Sequence, residues 1–160
     1  MQETDLFLDP DPPEHLPGGG YVRTHPEGIW GAGDRIAWLS GLVLALSSFM
    51  DWYAGSGVGV KLAVIGWNTG IIGKVVFFVG LAVVAIVVLR GAGVDLPPSA
   101  PESLVILALG VLATVFVLIR VITIPEALLP ANSRGIGLWI SLLAALGVIA
   151  GGLLRAAEDL

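Results

Sequence analysis

Four stretches of almost unbroken hydrocarbon, residues 36–54, 71–89, 104–119 and 136–154, dominate this chain of 160 residues and leave it few ways to fold in water. Residues 75–89, VVFFVGLAVVAIVVL, offer no polar face at any helical angle. A helix built from them needs lipid or other helices on every side. Each stretch has roughly the 17–25 residues that carry a helix across a hydrocarbon layer of about 30 Å, the shorter ones with a few flanking residues included. Only 13% of residues are charged, against about 25% in ordinary soluble domains. The expected fold is an all-α membrane protein with four transmembrane helices in an up-down-up-down bundle. Residues 35–155 would form the membrane domain, 1–34 a disordered acidic tail rich in Pro and Gly, and 156–160 a short C-terminal tail.

Composition also excludes several chemistries. There is no cysteine, so disulfides, thiolate metal sites and cysteine nucleophiles are ruled out. The two histidines, His15 and His25, both lie in the tail. The glycine-rich run at 55–59 is followed by neither the Lys-Ser/Thr pair nor the strand-to-helix setting of a phosphate loop. No cofactor, metal or catalytic residue is expected, and the chain reads as a non-enzyme. The formal net charge of -5 is concentrated before the first span, where Glu3, Asp5, Asp9, Asp11, Glu14, Glu27 and Asp34 face only Arg23 and Arg35. Such a tail is no nucleic-acid-binding arm. It also opens with acids rather than the basic n-region of a secretory signal.

The Lys/Arg content of short loops ordinarily orients a membrane protein. Here it splits evenly: Arg23, Arg35, Arg90 and Arg155 on one side, Lys61, Lys74, Arg120 and Arg134 on the other. Arg35 before the first span and Asp51 after it favour a cell-membrane protein with both termini cytoplasmic. Trp52, Tyr53, Trp67 and Trp139 would then form an outer aromatic belt, with Trp30 and Trp38 on the inner side.

Ionisable residues inside hydrocarbon are expensive and point to function. The exceptions here are Asp51, closing the first stretch, and Lys74, opening the second; antiparallel neighbours would bring them to one depth, where they could pair. Small residues recur every fourth position at Ala37, Gly41 and Ala45, and again at Gly137, Ser141 and Ala145. Such stripes let helix backbones touch, either within the bundle or between copies of the chain. The hydroxyls of Ser40, Ser47, Ser48 and Thr114 are expected to bond their own helix carbonyls.

The segments SSFMDWYA at 47–54, GWNTGIIGK at 66–74 and GIGLWISLLAALGVIAGG at 135–152 resemble small four-span membrane proteins of unknown function of actinobacterial type. In those proteins the first span ends in a Phe/Leu-x-Trp-Tyr motif and the outer loop leads through a Trp-rich segment into the second span. The resemblance implies a fold and a location and brings no activity with it.

By subtraction, the expected role is a small accessory or scaffold subunit that sits in the lipid bilayer and binds a larger membrane protein. Its contact surface would be the acidic tail or the outer aromatic loop. The alternative is an oligomeric channel or transporter for a small or lipophilic solute, built on the small-residue stripes. The candidate interface or pore-mouth residues are Asp51, Trp52, Tyr53, Trp67 and Lys74. A lipid-acting enzyme using Asp51 and Glu126 is a weaker third reading.

Overall fold

The computed structural model describes residues 31–57, 60–94, 101–123 and 133–160. The expected acidic tail up to residue 30, with Trp30 of the inner belt, and the segment around Glu126 lie outside them. The chain is mostly helical: α1 (Ala32–Ser47), α2 (Ile71–Gly91), α3 (Glu102–Ile122) and α4 (Ile136–Glu158). The three longer helices, α2, α3 and α4, are long and apolar enough to cross a membrane. At 16 residues, α1 is about 24 Å long and falls short of that length.

The first hydrophobic stretch is therefore not one helix through residue 54. After a turn at Ser48, the chain enters a strand, β1 (Asp51–Gly57), which returns as β2 (Val60–Ile65). A third short strand, β3 (Ser133–Arg134), completes an antiparallel sheet in the order β2-β1-β3. The expected all-helical fold thus carries a three-stranded cap in place of the outer aromatic loop. A 3-10 turn, Gly66–Thr69, leads from β2 to α2. The chain reverses there at Gly70, whose φ of 103° is a region that side chains with a Cβ rarely occupy.

The helices meet along faces of small side chains. α1 and α4 lie antiparallel in continuous contact, with Gly33 against Arg155, Ala37 against Gly151 and Ser40 against Gly147, and Met50, beyond the end of α1, lies against Gly137. At the C-terminal end of α1, the buried hydroxyls of Ser47 and Ser141 lie 2.8 Å apart. A Cβ added to Gly151 would sit 2.7 Å from the Ala37 nitrogen, so the two backbones are in contact. Gly41 and Gly80 do the same for α1 and α2, since a Cβ on Gly80 would lie 2.7 Å from the Gly41 carbonyl oxygen. Gly110 and Gly152 bring α3 close to α4. Both stripes read from the sequence are thus spent inside the chain.

The inward positions are small or β-branched: Val76, Val79, Val83 and Val87 on α2, Ile106, Ala113 and Val117 on α3. The outward ones are larger, among them Phe78, Leu81, Leu112, Leu118 and Leu143. Close backbone packing thus joins the helices, and the bulkier apolar groups lie on the outer surface, the division that helices packed in a membrane show.

Candidate functional site

At one end of the structure, four charges from four helices converge. The first turns of α1 and α3 supply Asp34 and Glu102, and the last turns of α2 and α4 supply Arg90 and Arg155. Each sign suits its helix terminus, carboxylates by the amide-rich N-terminal ends and guanidiniums by the carbonyl-rich C-terminal ends. Alternating chain direction brings these ends together. Arg155, only 3% exposed, donates from Nη1 to Asp34 Oδ1 at 2.7 Å and from Nη2 to Glu102 Oε2. Arg90 closes the ring on its more exposed side, with Nη1 at 3.5 Å from Asp34 Oδ2 and Nε at 3.7 Å from Glu102 Oε2. Beside it, the Glu158 carboxylate accepts the Gly33 amide hydrogen at 3.2 Å. It does so at an N-terminus whose N-cap, Gly31, has no side-chain cap of its own.

The opposite end is held by backbone carbonyls and aromatic side chains. Trp52 is fully buried under the sheet, and its indole Nε1 donates to the Ser47 carbonyl at 2.9 Å. Tyr53, equally buried, donates its hydroxyl to the Arg120 carbonyl at 2.9 Å. Arg120 in turn donates to the Thr69 carbonyl, and Arg134 to the Val121 carbonyl. Tyr53 and Arg134 thus cap two of the last carbonyls of α3, which have no partner within the helix.

Consecutive residues of a regular strand point to opposite faces, yet Trp52 and Tyr53 both point inward. The pairing of β1 with β2 is irregular between Asp51 and Tyr53, a bulge that breaks the alternation. Neither residue belongs to an exposed aromatic belt. Asp51 is exposed on β1 opposite Ile65, and among the described residues it forms no ion pair with Lys74. The Lys74 amine instead lies 5.7 Å from the centre of the Trp67 ring, within cation–π range. Trp67 stacks on Phe49 at 5.6 Å and meets Phe77 edge-on at 5.4 Å. The structure therefore joins Trp67 to Lys74, and separates both from the buried pair Trp52–Tyr53 and from Asp51.

The sequence expectation puts Asp34 in the tail and counts Arg90 and Arg155 toward orientation, and it does not bring the four charges together. The available signal was their pattern: an acid opening two helices and an arginine closing the other two. Of the hydroxyls, Ser47 and Thr114 bond their own helix carbonyls as expected, to Leu44 and Gly110. The Ser48 hydroxyl is buried without a partner among the described residues.

Burial pushes the pKa of the Tyr53 phenol above its ordinary value, partly offset by the nearby Arg120 and Arg134 guanidiniums. A raised folded-state pKa means that the Tyr53 contribution to stability is complete below the unfolded phenol value, near 10. It is lost as pH rises through the higher folded value. The chain has two tyrosines, so an alkaline absorbance titration of phenolate is expected to show two steps, with Tyr53→Phe removing the later one. A single step unchanged by that substitution would contradict the buried placement.

Comparison with known protein families, with curated proteins and with solved structures finds no match.

Proposed function

We propose that this chain is a non-catalytic integral membrane protein with four spans in a bundle, and that it serves as a small accessory or scaffold subunit for a larger membrane protein. Its place is the cell membrane, with both termini cytoplasmic. The first span is α1: short as it is, it lies beside α4 from Gly33–Arg155 to Ser47–Ser141, so a bilayer crossed by α4 is crossed by α1 as well. The charge difference between Arg35 and Asp51 across α1 supports the orientation.

The observation that supports the role is how the described polar groups are used. The charges of the Asp34–Arg155 ring hold the chain's own helices at one end. Arg120, Arg134, Trp52 and Tyr53 hold backbone carbonyls at the other. Between them the helix interfaces are filled by glycine, alanine, valine and serine in backbone contact. A solute path along the middle of one chain would have to part those contacts. The channel alternative drew on the small-residue stripes as assembly faces and on Asp51 with Lys74 at a pore mouth; the stripes face inward and the pair does not form. With Trp52 and Tyr53 buried, the surfaces left for a partner are the acidic tail and the outer face of the sheet.

Affinity purification of the full chain in mild detergent, followed by mass spectrometry, tests the role. One larger membrane protein in near-stoichiometric amount is expected. A form lacking residues 1–30, which keeps Asp34 and the ion-pair ring intact, separates tail from sheet as the contact. Recovery of the chain alone as a defined homo-oligomer that conducts ions in vesicles would overturn the proposal in favour of the channel.

A further inference from the structure

The two ends of the molecule differ in how their cations are balanced. Arg90 and Arg155 each face two carboxylates at one end. At the sheet end Lys74 has no carboxylate partner among the described residues, and Asp51, the acid of β1, is not paired with it. Lys74 stands on the first turn of α2, where the apolar helix meets the sheet, so it lies at the depth of lipid headgroups in the four-span arrangement. Beside it is an aromatic ledge: Trp67 under the amine, Phe49 stacked on Trp67, then Phe77 and Phe78 along α2. Phe49 and Phe78 are about half exposed on the lateral surface.

We infer that Lys74 and this ledge form a binding site for a phospholipid with an anionic headgroup. The phosphate sits against the Lys74 ammonium, which Trp67 fixes from below, and an acyl chain runs along Phe49 and Phe78. Three features select this occupant. The charge is positive and uncompensated, the rings are apolar and turned outward, and the two meet at the boundary where a phospholipid has the same division between charge and hydrocarbon. Indole and lysine are well suited to that boundary, each with an apolar body and a polar end. The inference rests on the membrane placement proposed above but not on the accessory role.

The full chain purified in detergent, titrated with phosphatidylglycerol or phosphatidylcholine and followed by native mass spectrometry, tests the site. Phosphatidylglycerol adducts are expected to exceed phosphatidylcholine adducts by about fivefold, the scale of one basic residue at an anionic surface. Lys74→Gln should bring the two lipids to parity, and Lys74→Arg should retain the preference. Arg35→Gln removes the same charge from an exposed residue at the other end and should leave the preference in place. Equal binding of both lipids by the unaltered chain overturns the inference. So does an equal loss in Lys74→Gln and Arg35→Gln, which would mean diffuse charge attraction. Failure of both lipids to bind at all would count against the membrane placement itself.

Discussion

Arg155→Ala is expected to destabilise the folded chain by about 3–5 kcal/mol, the usual effect of removing one partner from a buried ion pair. Arg155 is the buried centre of the ring, and its loss leaves Asp34 and Glu102, with side chains only 10% and 13% exposed, facing one another across the remaining, more exposed Arg90. Two carboxylates that close, without their shared guanidinium, repel each other and are poorly solvated. The measurement is reversible unfolding in mixed micelles with a denaturing detergent. The companion variant, with Asp34→Asn, Glu102→Gln, Arg90→Met and Arg155→Met together, should recover most of the loss, because no charge is then left unpaired. Full stability of Arg155→Ala alone would mean that the ring does not bind the four helices.

Trp52→Ala is the second large effect, with a loss of about 3–5 kcal/mol from the cavity it opens under the sheet and the packing it forfeits. Trp52 is where the cap joins the helices. Its side chain donates to the last carbonyl of α1, and its own carbonyl accepts the Gly135 amide hydrogen at 2.7 Å, just before α4. A Cβ on Gly66 would fall 2.6 Å from the indole nitrogen, so Gly66→Val should also destabilise, by overpacking the same space. Trp52→Phe is expected to be milder, by about the 1 kcal/mol of one hydrogen bond plus the smaller void. Unfolding in the same micelles, together with the near-ultraviolet signal of the remaining tryptophans, checks this order. A harmless Trp52→Ala would return the residue to the exposed belt that its sequence position suggested.

What the sequence disclosed and what it concealed have physical reasons. Hydropathy located α2, α3 and α4 to within a few residues at their ends, because a helix in lipid needs apolar side chains all round. The same reading misjudged residues 48–54, since Phe, Met, Trp, Tyr and Ala are largely hydrocarbon whether the backbone is helical or extended. The sequence carried a sign of the hairpin in the Gly-rich run at 55–59 followed by VKLAVI. The bulge that turns Trp52 and Tyr53 inward depends on pairing between β1 and β2 and has no local sequence mark. The ring of Asp34, Arg90, Glu102 and Arg155 depends on four separate helix ends meeting, which becomes visible only once chain direction is known. The small stripes were legible as contact faces. Which partner they face, another helix of this chain or another copy, is settled only by packing.

The measurement that tests the four-span account most directly is single-cysteine accessibility in intact membranes. The chain has no native cysteine, so Gln2→Cys, Val94→Cys, Ser133→Cys and Leu160→Cys can each be labelled against an empty background. The account predicts that cysteines at 2, 94 and 160 react from one side of the membrane and the cysteine at 133 from the other. Reaction at 2 from the same side as 133, with 94 and 160 on the opposite side, would show that α1 does not cross, and would contradict the ion-pair ring that brings Asp34 to Arg155.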